Sequence, residues 1–112
     1  MIAQSFRHLL TLESPVRQPD GAGGYTESWL PIAELWVTLE PKAARQAEAL
    51  GATLSRQSFD ILLRAIGGSA ADHPRPGMRL RGASRVFVIE SVAPADGSGL
   101  YLRLDAYEEI TA

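Results

Sequence analysis

The chain of 112 residues contains no cysteine. That excludes disulfides, thiol nucleophiles and thiolate metal sites. Histidines are few, His8 and His73 only. A zinc site needs three or four convergent ligands, and Asp72-His73 offers neighbours whose side chains diverge, so no metal is expected. No apolar run approaches the ~18 residues that span a bilayer, and no membrane partner is expected. The opening Met1–His8 has no basic stretch leading into an apolar one, so no signal peptide is expected. A basic excess is also missing. Eleven basic residues face thirteen acidic ones, a net charge of −2, whereas nucleic-acid binders draw their general affinity from surplus positive charge. None of Ser55, Ser58, Ser69, Ser84 and Ser98 lies in a nucleophile elbow. The run Asp20-Gly21-Ala22-Gly23-Gly24 has no Lys-Ser/Thr after it and no strand–turn–helix order, so it reads as a flexible turn rather than a phosphate cradle. No catalytic residue and no cofactor is expected.

What is present is one domain's worth of alternating strands. The length suits a single domain, residues 1–112. Apolar residues recur with a period of two in Phe6–Leu12, Leu35–Leu39, Phe59–Leu63, Val86–Val92 and Leu100–Ala106, the pattern of half-buried antiparallel strands. The opposite faces are not fully polar, because Leu9, Trp36, Leu62, Phe87 and Ile89 fall on them. That favours a small antiparallel β-barrel covered again by a neighbouring element or subunit. Trp36, Phe87, Tyr101 and Tyr107 are therefore candidates for an interface, and Phe59 reads as core. A hairpin connection is expected at Ala93–Gly99, and a short strand and turn at Met78–Arg85. Pro41–Leu50 consists of good helix formers with Gly51 as a stop, which predicts one short helix. Two long loops are expected, Ser14–Ser28 and Ala65–Gly77, of the kind that contact partners.

Charge is uneven along the chain. Residues 57–85 hold five arginines against two aspartates (+3), and residues 86–112 hold one arginine against five carboxylates (−4). Lys42 is the only lysine, and arginine tolerates interfaces better than lysine does. Copies could dock plus face to minus face.

The order of these pieces resembles the phage head–tail joining (head completion, or stopper) proteins, including the head–tail adaptor of gene transfer agents. The resemblance is carried by Arg7-His8-Leu9-Leu10-Thr11-Leu12 and by the glycine-rich Asp20–Tyr25 with Trp29 after it. It continues through Leu35-Trp36-Val37-Thr38-Leu39, Glu48-Ala49 and Phe59–Arg64, and ends in Arg85–Val92 and Leu100–Leu104. The link Ala65–Gly77 is longer than is common in the family. The resemblance implies a β-barrel that forms a sixfold or twelvefold ring between a portal-side adaptor and the tail terminator or tail tube. Such a ring retains packaged double-stranded DNA in its channel and docks the tail. The place implied is the neck of a particle assembled in the bacterial cytoplasm.

On that reading Asp20, Gly21, Gly23, Gly24, Tyr25 and Trp36 are expected at subunit or partner contacts. Arg75, Arg79, Arg81 and Arg85 would meet carboxylates of an adjacent copy or DNA phosphate, with Glu108 and Glu109 on the acidic side. Reversing Arg79 and Arg81 together would then block assembly of a folded monomer. The alternative is a small barrel that binds single-stranded nucleic acid, and an enzyme or ligand-binding barrel is a third reading.

Overall fold

The structure, a computed structural model, describes residues 6–42, 45–47, 54–64, 73–97 and 99–109. It is all-β. The strands are β1 (His8–Pro19), β2 (Tyr25–Pro41), β3 (Arg45–Ala47), β4 (Leu54–Arg56), β5 (Ser58–Arg64), β6 (Arg79–Arg81), β7 (Val86–Pro94) and β8 (Tyr101–Glu109). Six of them are hydrogen-bonded in the order β1-β2-β5-β8-β7-β6. All neighbours are antiparallel. Because β1 pairs with β2 on one side and with β6 on the other, the sheet closes into a barrel.

Alternation explains the core. Leu10 and Leu12, Val37, Phe59, Ile61 and Leu63, Leu80, Leu104 and Ala106 point inward from their strands and are buried together. Burying large aliphatic and aromatic side chains at about 1.5–3 kcal/mol each is the driving term. Phe87 and Ile89 belong to the same core and are essentially inaccessible, so their placement on an outer, partner-facing side is corrected. The cause is a register shift between Ile89 and Ser91. An extra residue there changes the inward phase. Phe87 lies opposite Leu80 and Ile89 opposite Ala106, whereas Val92, past the shift, lies opposite Leu104. A single alternation over Val86–Val92 therefore cannot hold.

Two further expectations are corrected. Ser14–Ser28 is not an irregular loop. β1 and β2 continue as a ladder from Ser14↔Leu30 to Pro19↔Tyr25, and only Asp20–Gly24 turns. β6 pairs with β1 no further than Glu13, and β5 pairs with β2 only over Val37–Pro41. The rest of the hairpin thus projects from the barrel as a two-stranded arm. Pro15 and Pro19 lie in this free-edged part of β1, where a missing N–H breaks no ladder. The expected helix over Pro41–Leu50 is also not found where the chain is described. Pro41 ends β2, and Arg45–Ala47 is a strand paired with Leu54–Arg56. Helix propensity is a weak prior that tertiary pairing overrides, and short isolated helices are marginal in water. Residues 43–44 and 48–50 lie outside the described residues, as does Gly51. Of the second expected loop, residues 65–72 lie outside the described residues. Its end forms a turn in which Met78 N donates to Arg75 O (3.1 Å), and Gly77 N donates to Ile89 O (3.1 Å).

The other connections fall where expected. Gly82 N donates to Arg85 O (2.7 Å) in the β6–β7 turn, and Ala95 N to Tyr101 O (2.9 Å) closes the β7–β8 hairpin.

Candidate functional site: an arm, a clamp and paired charges

The arm ends in a turn made rigid by its own residues. Asp20 N donates to Gly24 O (3.0 Å), and Asp20 Oδ1 accepts from Ala22 N (2.7 Å) and Gly24 N (3.0 Å). Those two backbone donors hold the Asp20 carboxyl below its ordinary pKa. Gly21 and Gly23 supply left-handed conformations, φ +82° and +87°, which a side chain at Cβ disfavours. Asp20, Gly21, Gly23 and Tyr25 are exposed and Gly24 is half-buried. The arginine guanidinium of Arg17 lies 5.5 Å from the centre of the Tyr25 ring.

At the root of the arm sits Glu13, charged yet buried, 3% exposed. Arg79 Nε donates to its Oε1 at 2.7 Å, and Arg81 Nη1 lies 3.5 Å from its Oε2. The Arg79 guanidinium also stacks over Trp29 of the arm, 4.0 Å from the ring centre. One arginine on β6 thereby joins the carboxylate of β1 to an indole of β2, fixing how the arm leaves the barrel. Charge-assisted bonds and cation–π contacts both gain from such partial burial.

Two more charge pairs lie on the barrel wall. Arg85 donates to Glu108 through Nε (2.7 Å) and Nη2 (3.0 Å), a bidentate pair between the start of β7 and the end of β8. The Arg85 guanidinium also lies over Phe59 and Phe87, 5.4 and 4.9 Å from their ring centres. These two rings meet edge to face at 5.2 Å. Lys42 donates to Asp105 Oδ1 and lies 3.6 Å from Asp60. Asp60 and Asp105 stand directly opposite each other on β5 and β8, an unfavourable placement of like charges that the lysine neutralises. Ser91 Oγ donates to the other oxygen of Asp105 at 2.9 Å.

These bonds move the acid–base behaviour. Lys42, then Ser91, lowers the Asp105 pKa, and Arg85 lowers that of Glu108. Lys42 is raised chiefly by Asp105, and Arg85 by Glu108. A depressed carboxylate binds fewer protons folded than unfolded, so its stabilisation is present above the ordinary carboxylate range and is lost as pH falls through the folded value. The raised lysine works at the other end, losing its contribution as pH climbs through its folded value. Asp105→Asn is therefore expected to flatten the fall of melting temperature between about pH 6 and pH 2. Thermal melts across that range check it, and an unchanged acid slope would assign that slope to other carboxylates.

The residues expected at contacts thus divide. The arm tip gathers Asp20, Gly21, Gly23, Gly24 and Tyr25. Trp36 is 56% exposed on the outer wall, opposite Leu9, itself 43% exposed. Arg75 is exposed in the turn before β6, and Glu109 is exposed at the end of β8. Arg79, Arg81, Arg85 and Glu108 are engaged within their own chain. Tyr101 and Tyr107 are half-buried, and Tyr101 stacks on Phe6 at 5.8 Å. Sequence reasoning gives Glu13 and the Lys42–Asp60–Asp105 cluster no role at a site, and it takes Trp29 only as a landmark of the family resemblance. Glu13 and Arg79 are 66 positions apart, and only the closed pairing of β1 with β6 brings them together.

The model of one protein family, described as phage head completion protein, matches residues 1–110. The chain belongs to the phage head completion protein family. Among solved structures, this head completion protein is similar to a chain of the "Virion of native gene transfer agent (GTA) particle". The two share 38% identity over 95% of this chain and 96% of that one, with a TM-score of 0.77. Curated proteins give no match. Family and structural likeness together support a structural head-completion role. Among the described residues, no helix of this head completion protein is long and apolar enough to cross a membrane.

Proposed function

We propose that the protein is a head–tail connector, a stopper or adaptor ring at the neck of a phage or gene-transfer-agent particle. Copies form a sixfold or twelvefold ring between the portal-side adaptor and the tail terminator or tail tube. The ring retains packaged double-stranded DNA and presents the tail's docking surface, after assembly in the bacterial cytoplasm. The observation that carries this reading is the likeness, over nearly the full length of both chains, to a component of a gene transfer agent virion.

The surface agrees with such a role. An arm with a rigid tip projects from a closed barrel, and large apolar side chains stay exposed at Leu9, Tyr25, Leu30, Trp36 and Leu100. Asp20, Gly21, Gly23, Gly24, Tyr25 and Trp36 are the contact residues of this reading, with Arg75 and Glu109 beside them. Arg79, Arg85 and Glu108 support the contacts from within the chain, where each has a close partner, and Arg81 shares Glu13 with Arg79. That pairing engages Arg79 and Arg85 within the chain, whereas a single-stranded nucleic-acid barrel would hold its arginines ready for phosphates.

Electron microscopy of particles from a strain lacking the gene tests the role. DNA-free or leaking heads beside separate finished tails, restored by the wild-type gene, are expected. Normal tailed particles without the gene would overturn it.

A further inference from the structure

At the end of the barrel where β1 begins, a cavity of about 270 Å³ opens beside the β6–β7 turn. Its floor is apolar, from the buried Leu10 and Phe87 and the half-buried Leu39. Its rim carries Arg7, His8 and Arg85, all exposed. Arg85 is bound to Glu108, but Arg7 forms no ion pair among the described residues. The volume is just under the ~300 Å³ at which small-molecule clefts begin, which is room for one side chain.

The arm carries an exposed aromatic and a carboxylate, with Arg17 5.5 Å from the ring centre of Tyr25. Tyr25 is 65% exposed, the largest exposure among the large apolar and aromatic side chains of the described residues. Tyr25 and Glu27 lie two positions apart on one strand and so share a face. Glu27 has no ion pair among the described residues, although Arg17 stands opposite it in the ladder. The arm offers an aromatic with a carboxylate beside it, and the cavity offers an apolar floor with a guanidinium beside it.

One molecule cannot join them. Cavity and tip lie at opposite ends of β1, a strand of 12 residues, roughly 36 Å apart at ~3.3 Å per residue. A contact between them would run from the tip of one copy to the cavity of the next. Tip and cavity are different surfaces, so the contact is heterologous and repeats around a closed ring.

We infer that Tyr25 of one copy inserts into the cavity of the adjacent copy while Glu27 pairs with that copy's Arg7. This rests on the ring proposed above. Tyrosine in a desolvated pocket is a common centre of binding energy. The hydrogen-bonded Asp20 turn presents it with little ordering cost on association.

The test complements the gene-deleted strain with variants and counts DNA-filled, tailed particles. Tyr25→Ala, Glu27→Arg and Arg7→Glu are each expected to lower the count about tenfold or more, the effect of losing ~1.4 kcal/mol or more at a contact. The double variant Glu27→Arg/Arg7→Glu is expected to restore it. All three side chains are exposed, and melting curves of the purified full chains confirm that the variants fold. Restoration by the swap separates contact between copies from contact with any other protein, because only copies carry both changes. If Glu27→Arg and Arg7→Glu complement as well as wild type, or if both fail and the swap does not rescue, the inference falls while the connector reading stands. If the strain needs no complementation, the connector reading falls, and this inference with it.

Discussion

Phe87→Ala is expected to lower folding stability by about 3–5 kcal/mol, the usual cost of emptying an aromatic core site. Phe87 is fully buried, faces Leu80 across β6–β7, and meets Phe59 edge to face. Its removal takes away transfer free energy, leaves a cavity, and unseats the Arg85 guanidinium stacked on it. Against the roughly 5–15 kcal/mol of total stability typical of folded proteins, that is a large fraction. Urea unfolding of the purified chain measures it. If Phe87→Ala kept wild-type stability and lost only assembly, Phe87 would be a partner-facing residue after all. Trp36→Ala is the contrast. Trp36 is more than half exposed, so its loss is expected to leave the urea midpoint nearly unmoved.

Arg79→Ala is expected to cost about 3 kcal/mol, because it strands the Glu13 carboxylate without its close partner in a buried place. It also removes the stack on Trp29 and so loosens the arm. Arg81→Ala should cost less than about 1 kcal/mol. Its side chain is 57% exposed and its approach to Glu13 is the longer one, 3.5 Å, the situation in which ion pairs contribute little. Urea unfolding separates the two variants, and tryptophan fluorescence reports the environment of Trp29. Equal effects of the two substitutions would mean that Glu13 does not depend on Arg79. Reversing both arginines is consequently a poor probe of assembly. It places two more carboxylates beside Glu13 and attacks the fold first.

Much of the barrel was legible because strand alternation is a local signal. The runs around Leu10, Leu35, Ile61 and Leu104 fall in strands with the expected residues inward. The exposure of Trp36 followed from the same parity. Phe87 is misplaced because one inserted residue at the β7 register shift flips the phase, and Val86, Val88 and Val92, all on one parity, hide that flip. The arm was hidden by Pro15 and Pro19, which read as loop signals until it is known that their edge of β1 has no neighbour. Pro41–Leu50 was drawn toward helix by alanine-rich composition, whereas Arg45–Ala47 pairs with Leu54–Arg56. The charge blocks were visible in sequence, but not their destination. Arg85 and Glu108 meet because β7 and β8 pair with Phe87 opposite Glu108, so charges expected to join copies join strands of one copy. The cavity at the start of β1 arises from three separate parts of the chain, so no sequence window could contain it.

The order of the strands also bears on how the protein comes into being. β8 is the last of the six barrel strands in the chain and lies between β5 and β7. Until Tyr101–Glu109 leaves the ribosome, both of those strands present open edges, and the barrel cannot close. At roughly 5–20 residues per second, the newborn chain spends seconds as an unfinished sheet. Pairings between distant parts of a chain are also slow to form. Exposed edges of that kind invite association with other nascent chains. Production of this protein is thus most vulnerable just before synthesis reaches β8, where a stalled chain would join aggregates instead of particles.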